Sequence, residues 1–362
     1  MSIEPEISIK KPDVDGYEEQ SLRLGGFPIE SIMIRSETRS VFEVDRRIKS
    51  KQYVMDPDFQ RDFVWDQERQ SKLIESALLR IPLPVFYLAE TLDGKIVVVD
   101  GLQRLTTFHR FLNNDFKLKG LGFSDDLNGR KFRDLPPALQ NRIEDTPLQL
   151  YLIDSQVPES AKYEIFERVN SGVPLTRQQM RNGLFTGQAT HWLDAVACTE
   201  EFLEATGRSL NSKTMRDREC INRFAAFQLN GWQNYAGEMD DFLGKTLSQM
   251  NKGCDLVSLT ANFLKSMKLN LSVQGAHAFR KSLITPESRS VLNVALFDVL
   301  SVVFACASET LVKQRNREIV TAIRSLIQDP GFDLAISRST NSVRMVRTRF
   351  EMAETLLLPL LL

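Results

Sequence analysis

Side chains that hold transition metals are scarce in this sequence. There are three histidines, His109, His191 and His277, and no two lie close together. Neither an H-N-H nuclease site nor a His-rich metal centre is therefore supported. The four cysteines, Cys198, Cys220, Cys254 and Cys306, are scattered and form no C-x-x-C pair. That pattern argues against a zinc site and a disulfide framework, and points to a reducing, cytoplasmic setting. An excess of one charge is also missing, since 46 basic residues face 47 acidic ones. No global field draws in nucleic acid, so any DNA contact must come from a local patch. Long apolar runs are absent. The stretch Leu356-Leu-Leu-Pro-Leu-Leu-Leu362 is too short to span a bilayer and reads as the packed end of a final helix. Met1-Ser-Ile-Glu-Pro-Glu6 has no basic region and no apolar core, so no secretory leader is expected. No internal repeat or low-complexity tract occurs. What remains, 362 residues with 42% hydrophobic and 26% charged, is an ordinary globular composition with room for two packed domains.

The most informative stretch is Lys95-Ile-Val-Val-Val-Asp-Gly-Leu-Gln-Arg-Leu-Thr-Thr-Phe108. Ile96 to Val99 is an unbroken β-branched run and predicts a strand buried on both faces. Asp100-Gly101 ends it. Leu105, Phe108, Phe111 and Leu112 then recur at helical spacing, so a helix starts at once. Asp100 with Gln103 has the form of a capping box. Arg104 puts a fixed positive charge in the first turn, where the helix dipole already favours anions. That placement suits a bound anion held by backbone N–H groups and the guanidinium together. A capped helix with a solvated arginine is the plainer alternative.

Residues 1 to 28 are polar, carry Pro5, Pro12 and Pro28, and read as a mobile arm. Ser40 and Glu43 predict a cap for a short helix through Val41, Val44 and Ile48. Tyr53 to Met55 suggests a short strand. The loop Asp56-Pro-Asp-Phe-Gln-Arg-Asp-Phe-Val-Trp65 mixes aromatic and charged groups, and Asp66 then caps a helix stopped by Pro82 and Pro84. Val85 to Ala89 reads as a strand, with Asp93-Gly94 as a hairpin turn. Pro136-Pro137 marks a loop, and Leu148 to Ile153 alternates as a strand. Beyond it, strands stop. Helices are expected at 162–169, at 177–185 behind a Thr176/Gln179 cap, then near 189–205, 217–230, 238–250, 255–269, 289–307, 311–327 and 343–358. The helix through Val294 and Val303 is apolar nearly all round and should be buried. The fold class is α+β: a mixed α/β front half and an all-α back half. The expected divisions are an arm over 1–28, an α/β domain over 29–185 and a helical domain over 186–362.

Three stretches carry a resemblance. They are Phe59-Gln-Arg-Asp-Phe-Val-Trp65, Val99-Asp-Gly-Leu-Gln-Arg-Leu-Thr-Thr107, and Phe166-Glu-Arg-Val-Asn-Ser-Gly-Val-Pro-Leu175. Their order and spacing resemble the N-terminal domain of GmrSD-type restriction endonucleases, in the ParB/sulfiredoxin-like superfamily, over roughly residues 35 to 185. The resemblance implies a ParB-like α/β domain with a small mixed sheet. It also implies an Asp-Gly-x-Gln-Arg site for a nucleoside triphosphate, in systems that restrict foreign DNA, often modified phage DNA. Carried across, that site is Asp100, Gly101, Gln103 and Arg104, with Gln60 and Arg61 facing the same pocket. Two departures stand out. Leu102 occupies a position that is often Gln in relatives. No H-N-H pattern is found in this sequence, so DNA cleavage by this chain alone is not expected, and a nuclease partner subunit is allowed.

Physical roles follow for these groups. Arg104 can hold phosphate oxygens bidentately. The N–H groups of Gly101 and Leu102 can face the same oxygens, with Thr106 nearby in the same helix. Gln103 can orient a water, since its amide both donates and accepts. Asp100 can take a Mg2+ ion or merely cap the helix. Asp100, Gln103 and Arg104 are therefore the candidate catalytic residues. Arg168 and Asn170 are candidates for the pocket edge, although Asn170-Ser-Gly172 also suits a simple turn. The last helices carry a local basic excess. Arg344, Arg347 and Arg349 are the candidate DNA contacts, against solvated surface arginines as the alternative. The leading expectation is a cytoplasmic nucleoside triphosphatase of a prokaryotic DNA restriction or anti-phage system, in which a homo-oligomer is allowed and no membrane is involved. The rivals are a nucleotide-gated DNA-binding switch without catalysis, and a metal-dependent endonuclease using Asp100 with Asp56 or Asp58.

Overall fold

Residues 14–15, 34–55, 65–91, 94–123, 125–157, 159–169, 176–285 and 287–362 are described by a computed structural model. The order begins with β1 (Val14–Asp15), β2 (Ile34–Ser40), α1 (Val41–Lys49), β3 (Tyr53–Val54), α2 (Gln67–Leu78), β4 (Phe86–Glu90) and β5 (Ile96–Asp100). It continues with α3 (Leu102–Leu112), α4 (Pro137–Glu144), β6 (Pro147–Ile153), α5 (Glu159–Val169) and α6 (Arg177–Leu184). Then come α7 (Gln188–Ala197), α8 (Glu200–Thr206), α9 (Arg216–Asn230), α10 (Met239–Lys252), α11 (Leu256–Gln274) and β7 (Leu292–Asn293). The chain closes with α12 (Val294–Ala305), α13 (Glu309–Gln314), α14 (Asn316–Gln328), α15 (Pro330–Ser337) and α16 (Val343–Leu361). Two compact units result, one over 22–186 and one over 187–362 together with 1–21. The fold is α+β, a small mixed sheet followed by helices.

The sheet of the first unit has the order β2-β6-β4-β5-β3. β4 pairs antiparallel with β5 and parallel with β6, while β2 is antiparallel to β6 and β3 is parallel to β5. Both faces are covered, which explains the β-branched run of β5. Ile96 and Val98 join Phe86, Leu88, Leu148 and Leu150 in a cluster with side chains of α1, α2 and α3. Val99 faces the other way, with Ala89 and Ile153, onto Tyr163 and Phe166 of α5 and Met180 of α6. Local signals set the helix starts. Ser40 Oγ accepts from the Glu43 N–H at 3.2 Å, Asp66 Oδ1 from the Arg69 N–H at 2.8 Å, and Thr176 with Gln179 closes a full capping box.

In the helical unit, α12 packs against α9, α11, α15 and α16 and is buried on all sides except at Val302, as its apolar sequence predicts. Several expectations need correction. Within the stretch read as a mobile arm, Val14–Asp15 forms β1 and pairs in parallel with β7. Strands therefore do not stop at Ile153. The expected helix at 189–205 is broken at Cys198–Thr199, and that at 311–327 at Arg315. α4, where Pro136-Pro137 reads as a loop, and α15, for which no helix is expected, start with Pro137 and Pro330 at their first turns, where the missing N–H costs nothing. Among the described residues no helix is long and apolar enough to cross a membrane.

Candidate functional site

Strand β5 ends at Asp100, Gly101 turns the chain, and α3 begins at Leu102. Gly101 has φ 102° and ψ 8°, the left-handed region. A Cβ there would lie 2.3 Å from Phe86 Cδ1, so both the conformation and the space demand glycine. Gly101 is itself the N-cap, and no side chain caps α3. The expected Asp100–Gln103 capping box is thus absent. Asp100 sits one residue too early, and its Oδ2 instead accepts from Arg104 Nη2 at 2.8 Å.

Arg104 is held against the turn by three hydrogen bonds. Nη1 donates to the Pro84 carbonyl, and Nη2 donates to the Val85 carbonyl at 3.1 Å as well as to Asp100. The guanidinium lies over the Phe86 ring, 4.3 Å from its centroid, a cation–π contact. The side chain is only 11% exposed. Burial pulls its pKa down, and the Asp100 charge and hydrogen bond pull against that. Three bonds use three of five N–H groups, leaving Nε–H and one Nη1–H for another acceptor. Phe86 and the carbonyls of Pro84 and Val85 are the partners that spacing alone did not reveal. The available signal was Pro84 itself, which favours extended backbone in the residue before it.

Two of the three motif stretches meet here. Trp65, at the end of the aromatic loop, donates its backbone N–H to Gln103 Oε1 at 3.4 Å, and Arg69 stacks on the Trp65 ring. Asp56, Asp58, Gln60 and Arg61 lie outside the described residues, as does Asn170. Leu102 is buried in the core beneath the turn, Thr106 is half-buried, and Arg168 is exposed on α5. Among the described residues no group of three or more His, Cys, Asp or Glu gathers for a metal ion. Asp100 brings one carboxylate to the turn. That suits Mg2+ only as a partner of bound phosphates, the usual way this ion is held.

The candidate DNA contacts separate. Arg344 and Arg347 are exposed on α16, and Arg347 approaches Glu351 at 4.0 Å. Arg349 is a correction: it is fully buried and donates to Asp298 Oδ2 at 2.8 Å and to the Thr340 carbonyl. It lies on the face of α16 that buries Val346, Phe350 and Ala353, so it cannot reach a phosphate. His109 is structural in its contacts, with Nδ1 2.7 Å from Asp45 Oδ1. All four cysteines are free.

Residues 41–186 match the family model described as GmrSD restriction endonuclease, N-terminal domain. No curated protein and no solved structure matches the chain.

Proposed function

We propose that this protein, whose residues 41–186 match the family model described as GmrSD restriction endonuclease, N-terminal domain, serves a DNA restriction or anti-phage system by binding a nucleoside triphosphate at the Asp100–Arg104 turn. The observation that carries the reading is the start of α3. It opens on a left-handed glycine without a side-chain cap, beside a guanidinium whose plane is fixed by three hydrogen bonds. Backbone N–H groups at an uncapped helix start and two remaining guanidinium donors form an anion site. The bonds to Pro84, Val85 and Asp100 hold Arg104 ready, so little side-chain entropy is lost when phosphate arrives. Asp100 Oδ1 would share Mg2+ with the phosphates, and the ion would neutralise part of their charge.

Hydrolysis needs a group that orients water as well as charge on the phosphates. Gln103 fills that role in the hydrolase reading. A second reading, nucleotide gating without turnover, is favoured by the same geometry. Gln103 Oε1 already binds Trp65, and Asp100 already binds Arg104. In both readings DNA or a nuclease partner receives the signal. Phosphate release from ATP, GTP, CTP and UTP with Mg2+, paired with equilibrium binding of each, separates them. Binding with steady release supports hydrolysis, and binding without release supports gating. No binding of any of the four would remove the proposal.

A further inference from the structure

The helical unit carries three arginines, Arg280, Arg289 and Arg324, that form no ion pair among the described residues. Helix α8 ends at Thr206, with Gly207 left-handed at φ 65°. Buried Arg280 folds back on this end: Nη2 donates to the Thr206 carbonyl and, at 2.9 Å, to Ser209 Oγ, and Nη1 donates to the Ala278 carbonyl at 2.7 Å. Arg289 packs on Gly207 itself, where a Cβ would lie 1.6 Å from its Nη2. Its Nε donates to the Ala276 carbonyl at 3.0 Å. Arg324 of α14 donates Nε to the Leu283 carbonyl at 3.1 Å. Three guanidiniums are thus tethered by carbonyl oxygens around residues 276–283. Among the described residues none of them has an ion-pair partner. Of the carboxylates nearby in sequence, Asp333 takes Lys281 at 2.8 Å, and exposed Glu287 is in no ion pair among the described residues. Burial, and then the charge of Arg289, pull the Arg280 pKa down to about 10, which fits two cations held close together.

The helix C-terminus accounts for Arg280, because cations suit the carbonyl end of a helix. It does not account for Arg289 and Arg324, which are exposed. Each is pinned through Nε alone, so its Nη groups have no hydrogen-bond partner among the described residues. A guanidinium held this way offers a two-pronged donor to phosphate at little further cost in side-chain entropy. We infer that these arginines bind the phosphate backbone of DNA, with Arg289 and Arg324 each meeting a phosphate and Arg280 as a fixed charge beneath them. The choice of DNA among polyanions rests on the restriction reading above; nothing in it depends on nucleotide binding. Arg344 and Arg347, on α16, share none of these carbonyl tethers among the described residues.

Anisotropy of a short labelled duplex across a salt series tests the inference on the full chain. Each phosphate contact contributes about 0.9 to the slope of log affinity against log salt. Arg289→Ala is expected to lower the slope by about 1, and Arg289→Ala with Arg324→Ala by about 2. Arg344→Ala with Arg347→Ala should leave it unchanged. The double variant should melt like the wild type, since both side chains are exposed. Its nucleotide titration should also match the wild type, which reads the nucleotide proposal separately. An unchanged slope in the folded double variant overturns the inference. So does wild-type protein that binds phosphatidylglycerol vesicles but not the duplex.

Discussion

At Gly101 the backbone and the packing make the same demand. The residue is left-handed, and the Phe86 ring occupies the space a methyl group would need. Gly101→Ala is therefore expected to lower stability by about 1–3 kcal/mol, read as a fall in the urea midpoint of the first unit. Asp45 gives a pH-dependent counterpart. Burial pushes its pKa up, but hydrogen bonds from His109 and Lys49 outweigh burial and hold it below the usual carboxylate range. A carboxylate depressed in the folded state stabilises at pH above its unfolded value, about 3.9, and that contribution fades as pH falls through the folded value. Unfolding free energy measured against pH should thus lose an acid-limb slope in Asp45→Asn. A profile identical to the wild type would assign the acid sensitivity to other groups.

Among elements, α9, α12 and α16 are tied by a buried charge cluster. Asp298 of α12 accepts from Arg223 of α9 through both oxygens, at 2.8 and 2.6 Å, and from Arg349 of α16 at 2.8 Å. Removing the carboxylate leaves two buried cations, so Asp298→Asn should cost about 3–5 kcal/mol or more, seen in urea unfolding followed by circular dichroism. The sequence held a signal for this triad that periodicity alone passes over. Asp298 is the single charge in an apolar helix, and Arg349 falls on the apolar stripe of Val346, Phe350 and Ala353. α1, α2 and α6 were legible because cap and stripe agree. α4 and α15 were not, since eight residues are too few to establish a period and Pro136-Pro137 read as a break before α4. β1 and β7 are two residues each and exist through pairing across the chain, which no local pattern encodes. At the candidate site, the turn and its arginine were legible. The direction of Arg104 was not, because its acceptors are the Pro84 and Val85 carbonyls some twenty residues earlier.

For the whole molecule, a net charge of −1 conceals local differences. Arg289 and Arg324, proposed to meet DNA, belong to the helical unit, and the helix start proposed to take a nucleotide belongs to the other. A triphosphate that binds only the folded chain should stabilise it by about 2.7 kcal/mol at a hundredfold excess over its dissociation constant, seen as a raised melting temperature. The nucleotide reading is decided by calorimetry of wild-type and Arg104→Lys protein against the triphosphate and Mg2+, with melting curves to confirm that both are folded. Lysine keeps the charge but loses the planar fork, so the account predicts one site in the wild type and binding about tenfold weaker or worse in the variant. Equal affinity in two equally folded proteins would contradict it.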